Sequence, residues 1–388
     1  MRCFASSLHG EHIGAESFRG VDTESLLRLA DVQRVLPFVY EAIRHLADEP
    51  GFEMLYETGR RVKRQVAAQA VKAEEFSAVY KALRGRGLSP IAVKGHICSR
   101  LYPYSDYRLS GDDDLVVCDE EFSECCEALR ILGMMCDCST LSRDTVTFTM
   151  HGSPLKIELH RRLFDTEEPN GQLFNGFFQK ESVAETDGFL TLDAQLHLLY
   201  MMLHAWSHFL AGGVGIRQVC DIGLWACEYS DEIDFELLLS QCRKAGAGGF
   251  CRAVLAIACE VLQIPAENAV SVDNDSVEYA PLLCDIISGG VFGTSDMTRI
   301  HSSTLTLNAA NDKSISVMRS LFPDLEYMKR SYSFLNWYPI LLPAAWTMRI
   351  WHYLREKKGT GNSAVASLRL ARERTELIRM YCSETTED

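Results

Sequence analysis

The sequence lacks an excess of basic residues. Of its 388 residues, 39 are Lys or Arg and 53 are Asp or Glu, which gives a net charge of −14. Dedicated nucleic-acid-binding proteins usually carry a basic excess, so this class is disfavoured, although a basic patch within one domain would be compatible with the overall charge. With 47% hydrophobic and 24% charged residues, the composition is that of a globular protein rather than a disordered one.

The 14 cysteines include no C-x-x-C pair. The closest pairs, Cys125–Cys126 and Cys136–Cys138, have neither zinc-knuckle nor thioredoxin-type spacing. The first 16 residues also lack the apolar stretch of a secretory signal. We therefore expect reduced thiols in the cytosol, most of them buried as small hydrophobic side chains.

Long apolar runs are missing as well. A membrane-spanning helix needs about 18 or more consecutive apolar residues. The nearest candidate, residues 337–351, contains two prolines and Arg349. The sequence therefore predicts a soluble cytoplasmic protein with no membrane partner.

At about 100–200 residues per domain, the length suggests two or three domains, and the sequence pattern divides the chain into three parts. Residues 1–84 form an N-terminal helical segment that packs on the core, with Pro37 dividing one amphipathic stretch into two helices. Residues 85–190 form an α+β core. Residues 191–388 form a helical C-terminal domain, because apolar residues there recur every three and four positions.

The α+β core contains several short β-rich runs. The runs predicted as strands lie at 91–93, 115–118, 145–150 and 155–160, with a hairpin turn at Gly152–Ser153. Residues 96–101 and 122–132 are predicted to be helical. The fold class is therefore α+β: a small mixed sheet flanked by helices, followed by a mostly helical C-terminal domain.

An acidic triplet, Asp112–Asp114, directly precedes an apolar strand. Side chains at i and i+2 of a strand share a face, so Asp112 and Asp114 point the same way. A like-charge pair is costly unless a cation neutralises it, and Mg²⁺ is commonly held by one or two carboxylates plus substrate phosphates. Glu158 adds a third carboxylate within a later strand. The alternative is that the triplet is a solvated loop or a helix cap.

The order of these motifs resembles the uncharacterised nucleotidyltransferase family of the polymerase-β-like superfamily. The resemblance covers about residues 20 to 355. It rests on Ala92-Val93-Lys94-Gly95, Leu101-Tyr102-Pro103, Arg108, Gly111 to Val117, Glu158 to Arg161, His204, His208, Arg217, Asp221, Leu321-Phe322-Pro323, Met328 and Tyr332. It implies a nucleotidyltransferase-type sheet and a helical part that closes over the cleft.

The resemblance also implies roles for the acidic residues. Asp112 and Asp114 would hold Mg²⁺, and Glu158 would bind a second ion or orient the nucleophile. Two ions are expected, with Mn²⁺ as a possible substitute. Such a pair stabilises the attacking and leaving oxygens of an in-line displacement at the α-phosphate.

The nucleotide-binding residues implied by the resemblance are Lys94, Gly95, Arg108 and Gly111. Lys94-Gly95 occupies the position at which the wider superfamily has Gly-Ser. The residues that bind the triphosphate therefore differ from the superfamily pattern. Gly95 would allow close approach of the backbone to phosphate, and Lys94 would add positive charge. Arg108 is either a phosphate or carboxylate clamp or a structural ion pair with a neighbouring aspartate.

Four residues of the helical domain form a possible pocket with His160. His160 shares a strand face with Glu158. It is either a neighbour of the metal ligands or a histidine that is packed on that face. His204 and His208 have the i, i+4 spacing of a metal pair, but the Glu of H-E-x-x-H is absent. Arg217 and Asp221 have the same spacing and could pair with each other. Structural hydrogen bonding and pocket lining both remain open for these four.

These residues lead to one main hypothesis and two alternatives. The main one is an Mg²⁺-dependent nucleotidyltransferase that moves an NMP from an NTP to a hydroxyl or phosphate acceptor and releases pyrophosphate. The acceptor would be a small molecule, a sugar, a peptide or a protein; the acidic net charge disfavours a nucleic-acid acceptor but leaves tRNA open. The alternatives are an inactive relative that binds nucleotide or a partner, and a metal-dependent phosphohydrolase that also uses His204 and His208.

Overall fold

The structure is a computed structural model. It describes residues 1–136, 144–164, 171, 173–175, 182–266, 278–289, 325, 328, 332–348 and 364–382. The motif Leu321-Phe322-Pro323, on which part of the family resemblance rests, lies outside the described residues.

The N-terminal part is helical, as the sequence predicts. The helices are α1 (Arg2–Leu8), α2 (Thr23–Val32), α3 (Leu36–Ile43) and α4 (Leu55–Gly85). Pro37 lies in the first turn of α3, where a proline costs no hydrogen bond, so its predicted division of two helices is confirmed. The predicted helical segment includes α1, but its bounds were not predicted; its residues Cys3 to Leu8 are buried. Phe76 and Tyr80 of α4 pack against Phe189 in the sheet, which joins this part to the core.

Seven strands in the described residues form one mixed sheet. They are β1 (Ile91–Val93), β2 (Asp113–Val116), β3 (Met135–Cys136), β4 (Thr145–Thr149), β5 (Lys156–His160), β6 (Val183–Thr186) and β7 (Phe189–Leu192), in the order β3-β4-β5-β2-β1-β7-β6. The pairs β2–β5 and β1–β7 are parallel and the others antiparallel. The predicted α+β class with a mixed sheet is confirmed. Two helices lie between the early strands, α5 (Gly95–Ser99) and α6 (Asp119–Ile131).

The register of the central strands brings the acidic motifs together. Asp114 in β2 lies opposite Glu158 in the parallel β5 and opposite Val93 in the antiparallel β1. Lys94, which follows Val93, therefore leaves β1 next to Asp114. Three strands separated by many residues in the sequence thus place Lys94, Asp114 and Glu158 at one end of the sheet.

The part of the chain after β7 is mostly helical, as predicted. Its helices are α7 (Ala194–Ala211), α8 (Ile216–Glu228), α9 (Phe235–Lys244), α10 (Gly248–Ala256, continued by a π-helical turn at Ile257–Val261), α11 (Ala280–Gly289) and α12 (Ala364–Cys382). Asp193 and Asp234 cap α7 and α9 by accepting hydrogen bonds from Leu196 N and Leu237 N. None of the described helices is both long enough and apolar enough to cross a bilayer.

A buried ion pair joins α4 to β2. Asp113 points away from Asp112 and Asp114 and lies 2.9 Å from Lys72 Nζ, which also donates to Ser110 Oγ at 2.7 Å. Both partners are almost fully buried. Burial raises the pKa of Asp113 and lowers the pKa of Lys72, so each depends on the other to remain charged.

We expect Lys72→Met to lower the free energy of unfolding by about 3–5 kcal/mol, because it leaves Asp113 buried without a counter-ion. Lys72→Met/Asp113→Leu removes both charges and should recover most of that loss. Urea unfolding of both variants checks this. A double variant no more stable than the single one would contradict the pairing account.

Candidate active site

A cavity of about 510 Å³ lies between the sheet and the helices α7 and α8. All the predicted site residues except Gly111 line it: Lys94, Gly95, Arg108, Asp112, Asp114, Glu158, His160, His204, His208, Arg217 and Asp221. Gly111 lies in the turn before β2, where an added Cβ would be 3.2 Å from Arg34 Nη1. These residues come from the strands β2 and β5, the Lys94–Gly95 turn after β1, the loop before β2 and the helices α7 and α8.

Carboxylates form one wall of this cavity. Asp114, Glu158 and His160 each offer a ligand atom within 4.8 Å of the others, the kind of cluster that holds a metal ion. Asp112 is nearby, with its side chain 41% exposed. Lys156, which the sequence analysis missed, donates to Glu158 Oε1 at 2.6 Å and lies 3.5 Å from Asp112 Oδ2. Its alternation with Glu158 in β5 could have suggested this contact.

Asp114 is the most tightly held of the three carboxylates. Lys94 Nζ lies 3.0 Å from Oδ2, and His160 Nε2 lies 3.0 Å from Oδ1. The other ring nitrogen of His160 is 3.0 Å from Thr145 Oγ1. Burial opposes ionisation, but Lys94 and His160 lower the pKa of Asp114 far below its ordinary value. Asp114 is therefore an anion throughout the physiological pH range.

The Lys94–Gly95 turn has an unusual backbone. Lys94 has a φ of 50°, a conformation that non-glycine residues seldom adopt. Its N–H donates to His197 Nε2 at 3.0 Å, and His197 Nδ1 is 3.3 Å from Thr191 Oγ1. Burial, reinforced by Lys94, lowers the pKa of His197 to about 3, so its ring stays neutral and can accept this bond. His197 was missed in the sequence, although it lies seven residues before His204, on the same face of α7.

Gly95 leaves no room for a side chain. A Cβ at this position would lie 2.5 Å from Asp113 Oδ1, and the φ of 21° adds backbone strain. We expect Gly95→Ala to lower the free energy of unfolding by about 1–3 kcal/mol and to displace the Lys94 turn. Gly85→Ala, at a position with open space around it, should change stability by less than about 1 kcal/mol. Equal unfolding midpoints for the two variants would contradict this account.

His204 is in contact with both His208 and Lys94. Their Nε2 atoms lie 2.7 Å apart, and Lys94 Nζ lies 2.9 Å from His204 Nε2. Burial, then the Lys94 charge, lowers the pKa of His208 to about 4 and holds that of His204 well below its ordinary value. Both rings are therefore neutral and line the cavity while hydrogen-bonding inside it. In the described part of the chain, neither belongs to a group of three potential metal ligands.

Arg108 forms a bidentate ion pair, but its partner is Asp221. Its Nε and Nη2 donate to the two carboxylate oxygens at 2.7 Å each, and Tyr102 OH donates to Oδ1 at 2.7 Å. The partner is thus not one of the neighbouring aspartates that the sequence suggested. Asp221 is also not paired with Arg217, although the two lie one helical turn apart. The contact spans 113 residues and has no signature in local spacing.

Comparison with known proteins adds one match. The model of a family described as an uncharacterised nucleotidyltransferase matches residues 19–263. This span includes every residue that lines the cavity and ends before the motif at Leu321-Phe322-Pro323. Searches of curated proteins and of solved structures find no match to the chain.

Proposed function

The chain belongs to this uncharacterised nucleotidyltransferase family, and on that premise we propose that the cavity transfers an NMP from an NTP to a hydroxyl or phosphate acceptor, with Mg²⁺ and release of pyrophosphate. The observation that carries the proposal is the convergence of Asp112, Asp114 and Glu158 on one wall of a cavity large enough for substrate. A cytoplasmic location and a small-molecule, sugar, peptide or protein acceptor belong to the same proposal.

The donor set fits the proposed ions. Mg²⁺ prefers oxygen ligands, and three carboxylates line the cavity within reach of the ammonium groups of Lys94 and Lys156. Lys94 and Lys156 here neutralise the carboxylate charge that bound Mg²⁺ ions would neutralise. We assign Asp112, Asp114 and Glu158 as the ligands, with Mn²⁺ as a possible substitute. Two ions bound there would stabilise the attacking and leaving oxygens at the α-phosphate.

The remaining residues position these groups. His160 orients Asp114 through its 3.0 Å contact. His197 fixes the strained Lys94 backbone, and Gly95 allows the turn to pass close to Asp113. Lys94, which lies 3.0 Å from Asp114, would present a positive charge to phosphate, while a metal held by Asp114 would supply the charge that neutralises this carboxylate. We infer that the Lys94–Gly95 turn binds phosphate in the place of the Gly-Ser of the wider superfamily.

Two alternatives make different predictions. An inactive relative that binds nucleotide or a partner would not need three carboxylates at one cavity wall. A phosphohydrolase would use His204 and His208 as ligands, whereas the described contacts of His204 are with Lys94 and His208.

The proposal is tested by NTP binding with and without Mg²⁺, measured by calorimetry on the wild type and on Asp112→Asn. We expect Mg²⁺ to tighten NTP binding to the wild type at least tenfold and to have little effect on the variant, since each tenfold change corresponds to about 1.4 kcal/mol. Asp119→Asn, an exposed acid at the start of α6, is the matched control. Equal affinity with and without Mg²⁺ in the wild type would favour the binding-only alternative.

A further inference from the structure

Two arginines of the cavity carry N–H groups that no described protein atom accepts. Arg108 and Arg217 line the cavity and are only 3% and 8% exposed. Within the described part of the chain, Arg108 Nη1 and Arg217 Nε and Nη1 are buried and have no hydrogen-bond partner. Buried polar groups are almost always paired, so three orphaned donor nitrogens at one cavity require an explanation.

The charges of Arg108, Arg217 and Asp221 do not balance either. Asp221 supplies one carboxylate, and Arg108 occupies both of its oxygens. Arg217 is left as a second buried cation next to Arg108. Burial, then the Arg108 charge, lowers the pKa of Arg217 to about 10, so Arg217 still carries its proton at neutral pH. An uncompensated buried cation is expensive, and a bound anion would remove that cost.

We propose that Arg108 and Arg217 form a subsite for a phosphate-type oxyanion carried by one of the two substrates. Guanidinium groups suit phosphate because they are planar, permanently charged and rich in donors. Asp221 and Tyr102 brace Arg108, so that its free nitrogen is fixed in place. Arg217 lies in the first turn of the 13-residue α8, where the helix dipole also favours an anion.

The identification of the anion as part of a substrate rests on the proposed function. The same chemistry has two sources: the triphosphate tail of the NTP, or an anionic group on the acceptor. Binding of inorganic phosphate or pyrophosphate to the arginines needs neither a metal nor turnover, so the subsite can be tested separately from the transfer reaction.

The test is a titration of inorganic phosphate and pyrophosphate in EDTA, followed by thermal unfolding at constant ionic strength in chloride. The wild type is compared with Arg217→Gln and with Arg60→Gln, which removes an exposed arginine from α4. We expect the anions to raise the unfolding temperature of the wild type and of Arg60→Gln, and at least tenfold weaker binding to Arg217→Gln.

A second readout separates ligand binding from a structural role. Without added anion, Arg217→Gln should unfold at the wild-type temperature or above it, because it removes an unpaired buried charge. A lower unfolding temperature, with anion binding equal to that of the wild type, would overturn the proposal. That result would leave the Mg²⁺-dependent NTP binding of the wild type, and hence the proposed function, untouched.

The source of the anion follows from a second titration, in which Mg²⁺ replaces EDTA and a saturating non-hydrolysable NTP analogue is present. Competition between the analogue and phosphate assigns the subsite to the triphosphate. Simultaneous binding assigns it to the acceptor, which would then carry a phosphate or a similar anionic group. An analogue that fails to bind, while phosphate still distinguishes the wild type from Arg217→Gln, would contradict the proposed function but support the subsite.

Discussion

Asp112→Asn should lower the rate of nucleotidyl transfer by about 10³-fold or more, because a metal-ion ligand supports several kcal/mol of transition-state stabilisation and each 1.36 kcal/mol is a factor of ten. The fold should survive. The Asp112 side chain is 41% exposed, and its described contact is with Lys156 at 3.5 Å. The measurement is turnover at saturating NTP and Mg²⁺, together with a urea unfolding curve for each variant.

The control for this variant is Asp119→Asn. Asp119 is 54% exposed and makes two contacts of 3.4 Å with Arg161 and Arg162, so its replacement removes an acid of similar exposure outside the cavity. The effect of Asp114→Asn is harder to interpret, because Asp114 is buried and is the partner of both Lys94 and His160. An Asp112→Asn/Asp114→Asn variant that retains turnover would rule out the metal-site assignment.

The second large effect is loss of stability in mild acid. His96, His197, His204 and His208 all have pKa values lowered by burial, to about 4 for His96 and His208 and about 3 for His197. A lowered folded-state pKa means that the unfolded chain binds the proton first as pH falls. The stability is therefore complete above pH 6.5 and is lost progressively below it.

Each such histidine can remove up to about 1.4 kcal/mol per pH unit. Because folded domains have only about 5–15 kcal/mol of stability, we expect the four together to unfold the protein within about three pH units below 6.5. Urea unfolding at pH 7.5, 6.5 and 5.5 measures this slope.

Two variants show whether buried histidines cause the acid slope. His197→Gln should be less stable at pH 7.5, since Lys94 loses its imidazole acceptor, but its slope below pH 6.5 should be smaller by about 1.4 kcal/mol per pH unit. His151→Gln, in the exposed turn between β4 and β5, should leave the slope unchanged. A flat wild-type profile between pH 7.5 and 5.5 would contradict the account.

The sequence predicted elements whose signals are local. Alternating residues predicted β4 and β5, and Pro37 predicted a helix boundary. The strands β3, β6 and β7 were missed. Residues 135–136 are too short for a periodic pattern, and Val183–Thr186 and Phe189–Leu192 lack clear alternation. Their pairing in the sheet, rather than their own sequence, defines them as strands.

The sequence predicted those parts of the site that follow from the order of its motifs, because this order reflects how the strands pair in the sheet. The spacing of Asp112 and Asp114 indicated a shared face, the later strand and the family resemblance added Glu158, and all three line one cavity in the structure. The contacts that organise the cavity join distant residues: Lys72 with Asp113, Lys94 with His197 and Arg108 with Asp221. Such partners are selected by tertiary packing, which spacing within a single segment does not encode.

The most direct test of the central claim uses NTPs labelled at either the α- or the γ-phosphate. Each of the four NTPs is incubated with Mg²⁺ and a cell extract as the source of acceptor, with Asp112→Asn/Asp114→Asn in parallel. We predict that the α-label moves to a new species while the γ-label is released in pyrophosphate, and that both products disappear in the double variant. Release of the γ-label as orthophosphate by the wild type, with the α-label left in NDP, would contradict nucleotidyl transfer and indicate a phosphohydrolase.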